Sequence, residues 1–134
     1  MLRVEWEKLK GGWQQFPNIS AVWVFGSAKE GIIRDGGDLD VGVLFEIKPS
    51  LDDLAELSAV LQEKLQIEDI DLISLNEASP ILRFEALCGR CLYSSDDAFR
   101  SEFASLSSRE YEDEMAMIEK YISYFSGKES GNEI

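Results

Sequence analysis

The sequence predicts an α/β fold in a single domain, and three observations carry that prediction. Residues 21–25 and 39–45 are apolar runs rich in β-branched and aromatic side chains, separated by a polar, glycine-containing segment, the pattern of two strands and an intervening loop. Leu54, Leu57, Leu61 and Leu65 then recur at intervals of three and four, the stripe of an amphipathic helix. A further alternating run at 70–75 predicts a third strand that this helix delivers back to the sheet. A length of 134 residues suits one domain with an ordinary core. The domain is placed at 1–126, with its core at about 20–95, a C-terminal helix at about 108–126 and a flexible tail over 127–134.

Taken in order, the elements have local causes. Leu2, Trp6, Leu9 and Trp13 repeat at intervals of four, three and four with charged residues between them, which predicts an N-terminal amphipathic helix ending near Gly11-Gly12. Its tryptophans read as core packing, with a base-stacking platform as the sharper alternative. Phe16-Pro17-Asn18 breaks the pattern and leads into the first strand, which ends in a tight turn at Gly26; Ser27 opens a short helix. Ser50 caps the leucine-striped helix, and Asp53 three positions on completes a variant capping box. Ser79-Pro80 starts another short helix, proline suiting its first turn, and Cys91-Leu92-Tyr93 supplies a short final strand. Asp96 and Asp97 cap the last helical region, which Ser107 and Ser108 are candidates to interrupt. In it Tyr111, Met115, Ile118, Ile122 and Phe125 form one stripe and Met117, Tyr121 and Tyr124 a second, a wider apolar face than packing on one sheet needs. Burial by the domain itself and docking onto a partner or second copy both account for that width.

The residues that carry chemistry gather around the first two strands. Alternate side chains of a strand share a face, so Asp38 and Asp40 point the same way, about 7 Å apart along the backbone. Two carboxylates held together repel each other and gain nothing structural unless a positive group lies between them. Hard divalent cations such as Mg2+ are held in this way, by one or two carboxylates plus substrate phosphates. Ser27, following Gly26 at a helix start, offers backbone N–H groups that suit a phosphate. Metal ligands and a phosphate cradle on neighbouring strand ends point to a nucleoside triphosphate site. The plainer alternative is a solvated pair of strand-start aspartates beside Gly36-Gly37. Lys29 and Arg34 could reach phosphate oxygens from the loop, although long loop cations are commonly just solvated.

At Gly26-Ser27, a spacer of ten residues and Asp38-Leu39-Asp40, the sequence resembles the nucleotidyltransferase superfamily typified by DNA polymerase beta. With that spacer and a short chain it looks like the minimal nucleotidyltransferases, antitoxin partners of HEPN-domain toxins. The resemblance runs from about Val22 to Tyr93; Gly37 stands where the pattern often has serine, a departure that loosens the turn without removing a ligand. It implies a short, mixed, twisted sheet with helices mainly on one face. It also implies nucleotide binding by Gly26, Ser27, Asp38 and Asp40, and metal binding by Asp38, Asp40 and a third aspartate in a later apolar strand. Asp69 and Asp71 share a face of the third strand, and the Ile-Asp-Leu-Ile context favours Asp71, whose implied role is a metal ligand that helps deprotonate the acceptor hydroxyl. A strand-edge charge is the plain alternative. The implied reaction is Mg2+-dependent transfer of AMP from ATP to a tyrosine of a cognate HEPN ribonuclease toxin, with that toxin as hetero-oligomeric partner. Nucleotidyl transfer to a small molecule of the aminoglycoside kind, and a non-catalytic antitoxin that neutralises by binding alone, are the competing readings.

Composition excludes other classes. A net charge of −13, from 26 acids against 13 bases, repels a nucleic-acid backbone and attracts a basic protein surface. The chain has no histidine, which removes Ser-His-Asp and Cys-His catalysis and most zinc chemistry. Cys88 and Cys91 therefore lack the other ligands of a zinc site and read as two reduced thiols. No run approaches the roughly 20 apolar residues of a membrane span, and the N-terminus, with Glu5 and Glu7, does not read as a signal peptide, so the cytoplasm is the expected location.

Overall fold

The computed structural model describes the backbone of residues 2–131 and the side chains of residues 2–126. Its centre is a four-stranded sheet in the order β5-β4-β2-β6, with β2 at Ile19–Phe25, β4 at Leu39–Phe45, β5 at Ile70–Ser74 and β6 at Arg90–Ser94. β2 runs antiparallel to β4 and β6, whereas β4 and β5 are parallel, so the sheet is mixed as expected. A parallel pair needs a crossover, and α1 (Leu51–Leu65) supplies it.

The strand period explains the layers. Val22, Val24, Leu39, Val41 and Val43 point to one side and meet Leu57, Leu61 and Leu65 of α1. Ala21, Trp23, Phe25 and Leu44 point to the other and meet Leu75, Ala86 and Leu82 around α2 (Pro80–Leu87) and Phe103 of α3 (Asp97–Gly131). Because β2 and β4 are covered on both faces, they read as continuous apolar runs. Of the three α-helices among the described residues, two thus share one face and α1 covers the other.

The predicted caps hold. Ser50 Oγ accepts from Asp53 N–H, and the Asp53 carboxylate accepts from Ser50 N–H, each at 3.1 Å. Ser79 Oγ accepts from Leu82 N–H, with Pro80 in the first turn of α2. Between these helices Asn76 exchanges two 2.8 Å hydrogen bonds with the Phe45 backbone, and Arg83 donates to the Leu75 and Asn76 carbonyls, which ties the end of β4 to the start of α2.

The N-terminal segment differs from the helix predicted for it. β1 (Leu2–Arg3) pairs antiparallel with β3 (Ile32–Ile33), Val4 N–H donates to Gly31 at 2.7 Å, and only two 3-10 turns follow, Trp6–Leu9 and Trp13–Gln15. Gly11, at φ 79, separates the turns. Leu9 and Trp13 are nevertheless buried in the core, so the spacing located the contacts while the backbone took another route to them. A lone helix of this length gains little by itself, and strand pairing wins. As a result the N-terminal arm straps the loop between Ser27 and Asp38.

The last helix also differs. α3 begins at Asp97, at the expected cap, and runs on as one helix with no separate start near residue 108, because Ser107 and Ser108 do not interrupt it. Ser107 is fully buried one turn beyond Phe103, whose ring packs on Trp23, so tertiary contact overrides the weak helix preference of serine. Asp96 accepts from Phe99 N–H at 3.1 Å, as a cap should. The helical backbone continues to Gly131, past the point where a tail was expected, and residues 132–134 of that expected tail lie outside the described residues. Tyr111, Met115 and Ile118 are half-buried, whereas Met117, Tyr121, Ile122, Tyr124 and Phe125 are exposed, so the described domain covers only the proximal part of the broad apolar face. Among the described residues, no helix is long and apolar enough to cross a membrane.

Candidate active site

Strand register builds the site. Phe25, the last residue of β2, lies across the ladder from Asp40 of β4, and Asp40 is the parallel partner of Asp71 of β5. Asp38 precedes Asp40 by two residues and shares its side. Carboxylate oxygens of Asp38, Asp40 and Asp71 lie within 4.8 Å of one another, so the structure brings together the three acids expected to meet. Asp38 and Asp71 are exposed and Asp40 is half-buried. Asp69, the other acid of that run, lines a separate hollow and contributes its carbonyl, which accepts from Leu39 N–H at 2.8 Å.

No ion pair among the described residues involves any of the three. The cluster is therefore negative charge without an internal counter-charge. Asp40 registers the consequence: burial, then the charges of Asp38, Asp71 and Glu85, push its carboxyl above the ordinary aspartate value. The donor set is three carboxylates with no nitrogen or sulfur ligand, which fits a hard divalent cation such as Mg2+. Asp38, Asp40 and Asp71 are the residues that could hold it.

Gly26 and Ser27 form a single 3-10 turn, Gly26–Ala28, at the end of β2. Gly26 has φ 75, and a Cβ built on it would collide with Asp40 Oδ2. Only glycine lets the chain leave β2 in this conformation while passing the carboxylate. Ser27, the next residue of the turn, is exposed.

Beside the turn an open hollow of about 400 Å³ is lined by Phe25, Gly26, Lys29, Phe84, Glu85, Cys88 and Gly89. Of the two loop cations, Lys29 faces this hollow and Arg34 lines the one that holds Asp69. Sequence reasoning missed Glu85 and Gly89. Glu85 is one polar residue of α2 among others, and only tertiary folding carries its charge toward Asp40. Gly89 had a signal, a glycine between a predicted helix and a predicted strand. A Cβ there would run into the Val24 carbonyl and stand 2.8 Å from Phe25 Cβ, so Gly89 lets β6 start hard against the end of β2. Cys88 and Cys91 are exposed and not joined to each other.

A mixed sheet that gathers three carboxylates at its strand ends beside a glycine turn is the arrangement of a nucleotidyltransferase-type domain. The chain belongs to the polymerase beta nucleotidyltransferase family, whose family model matches residues 7–98. A search of curated proteins finds no significant match. Among solved structures, the chain is similar to one from a toxin–antitoxin complex with AMP-PNP, with a TM-score of 0.75 and 22% identity over 92% of this chain and 99% of that one. It is also similar to a chain of the complex between tri-AMPylated Shewanella oneidensis HEPN toxin and MNT antitoxin, with a TM-score of 0.65 and 22% identity over 84% of this chain and 87% of that one. A protein described as a minimal nucleotidyltransferase shares 31% identity over 63% of this chain and 85% of its own, with a TM-score of 0.52.

Proposed function

We propose that this chain is a Mg2+-dependent protein adenylyltransferase that acts as an antitoxin, moving AMP from ATP to a tyrosine of a HEPN ribonuclease toxin. The observation that carries this reading is the convergence of Asp38, Asp40 and Asp71 within 4.8 Å beside the Gly26–Ala28 turn. Similar folds occur in a toxin–antitoxin complex with AMP-PNP and in a complex with an AMPylated HEPN toxin, which supports the donor and the target. The net charge of −13 suits a partner with a basic surface, which a protein that grips RNA must carry.

The chain's own groups divide the work. Asp38, Asp40 and Asp71 would hold Mg2+, which when bound neutralises triphosphate charge and stabilises the departing pyrophosphate. Backbone N–H groups of the Gly26–Ala28 turn and the Ser27 hydroxyl would meet phosphate oxygens, and Lys29, which lines the adjoining hollow, would add positive charge. The phenol oxygen of the acceptor attacks the α-phosphorus in line; the bond to the bridging oxygen breaks and pyrophosphate leaves. Asp71, exposed on the edge strand β5, takes the phenolic proton.

Incubation with Mg2+, labelled ATP and extract of the host cell tests the reading. A labelled protein band is expected with the wild type and absent with Asp38→Asn/Asp40→Asn. Label on a small molecule would move the acceptor to another class. No label with the wild type, or equal labelling by the double variant, would overturn the assignment.

A further inference from the structure

The proximal part of α3 is anchored: Phe103 packs on Trp23, Ser107 is fully buried, and Tyr111 stacks on Phe84 with ring centroids 3.9 Å apart. Among the described residues, the distal part is more exposed. Met117, Tyr121, Ile122, Tyr124 and Phe125 are each 54–67% exposed. Spacings of four, three and one place residues 117, 121, 124 and 125 on one side of the helix. Phe125 meets Tyr121 edge-on at 4.8 Å and Tyr124 at 5.4 Å, so the aromatic rings form one contiguous, preordered patch. Large adjacent apolar side chains left in water mark an interaction surface.

Charge selects the occupant. Residues 108–126 carry Glu110, Glu112, Asp113, Glu114 and Glu119 against Arg109 and Lys120, within a chain of net charge −13. A second copy would bring like charges together, and a nucleic acid or an anionic bilayer would be repelled in the same way. What remains is a protein with an apolar groove rimmed by lysine and arginine. The helix that carries the patch also borders the site at its proximal end. α3 lies with α2 on the sheet face toward which Asp40 and Asp71 point, and its Tyr111 is stacked on Phe84, which lines the hollow beside the triad.

We propose that Met117, Tyr121, Ile122, Tyr124 and Phe125 form the docking face that holds a basic-rimmed protein partner over the active site. The proposal rests on the antitoxin reading, in which that partner is the toxin. The test co-expresses the full chain with the HEPN-domain protein of the same host and measures complex formation by size exclusion and titration. Three forms are compared: wild type, Tyr121→Asp/Phe125→Asp, and Asp38→Asn/Asp40→Asn; Met117→Lys serves as a milder second face variant. Retained melting temperature and Mn2+ binding show that the face variants fold. The expected result is a complex with the wild type and the triad variant, weakened at least about 30-fold by the face substitutions. Unchanged affinity in the face variants overturns the docking face while leaving the antitoxin reading standing. A wild type that dimerises alone and becomes monomeric on substitution overturns it in favour of a second copy. A wild type that forms no complex overturns the antitoxin reading and the docking face with it.

Discussion

Replacing Gly26 by alanine perturbs the fold and the site by very different amounts, and the structure sets both. At φ 75 a residue with a Cβ carries a penalty of about 1–2 kcal/mol. Alanine recovers about 0.4–1 kcal/mol by narrowing the unfolded ensemble. The net loss of stability is therefore about 1 kcal/mol, or about 4 °C in Tm for a domain of this length. The new methyl also meets Asp40 Oδ2, the far end of a short side chain, so the carboxylate must swing out of a cluster whose oxygens lie within 4.8 Å of one another. A misplacement of about 1 Å in a reacting constellation costs about 100-fold in rate. Gly26→Ala should thus melt close to the wild type, bind Mn2+ weakly and transfer nucleotide at about one hundredth of the rate or less. Thermal unfolding, Mn2+ titration and initial rates with labelled ATP measure the three quantities. Transfer within about threefold of the wild type would refute the reasoning, because the collision with Asp40 would then have no chemical consequence. A loss of stability beyond about 4 kcal/mol would show that Gly26 serves the fold instead.

Three further outcomes follow from the same geometry. The Asp40 carboxyl sits above its ordinary value, so the folded chain holds a proton that the unfolded chain has lost, and metal-free stability falls as pH rises through the Asp40 titration. The check is the difference between wild type and Asp40→Asn in urea titrations: the variant should gain on the wild type as pH rises, and Mg2+ should cancel that gain by stabilising the wild type alone. Ser50→Ala removes the Oγ that accepts from Asp53 N–H and leaves the reciprocal Ser50 N–H bond to Asp53 in place, costing about 1 kcal/mol by denaturant titration while leaving transfer unchanged, because α1 lies on the sheet face away from the triad. Gly89→Ala pushes a methyl into the Val24 carbonyl and Phe25, so it should lose about 1–3 kcal/mol and slow transfer as well, since Phe25 leads directly into the Gly26 turn.

The acidic cluster was legible because its information is local. Gly26-Ser27 and Asp38-Leu39-Asp40 lie within one short stretch, alternation alone puts both aspartates on one side, and the apolar run around Asp71 marks a neighbouring strand. The caps at Ser50 and Ser79 were legible for the same reason, since each is a bond between residues three apart. What failed was decided by distant contacts. Leu2 carries a helical spacing with Trp6, Leu9 and Trp13, but it and Arg3 find strand partners at Ile33 and Ile32, some thirty residues on, and no count of periodicity in the first segment can see them. Ser107 looked like a break because serine is a weak helix former, yet burial beside packed aromatic rings carries α3 straight through it. Glu85 reaches the site only because α2 folds back over the sheet, so its influence on Asp40 has no trace in sequence spacing.

Anomalous diffraction from crystals grown with Mn2+ and a non-hydrolysable ATP analogue tests the central claim most directly. The account predicts a manganese peak bounded by carboxylate oxygens of Asp38, Asp40 and Asp71, with the analogue's phosphates against the Gly26–Ala28 turn. Phosphates bound elsewhere, or a triad that stays free of metal while nucleotide is present, would contradict it.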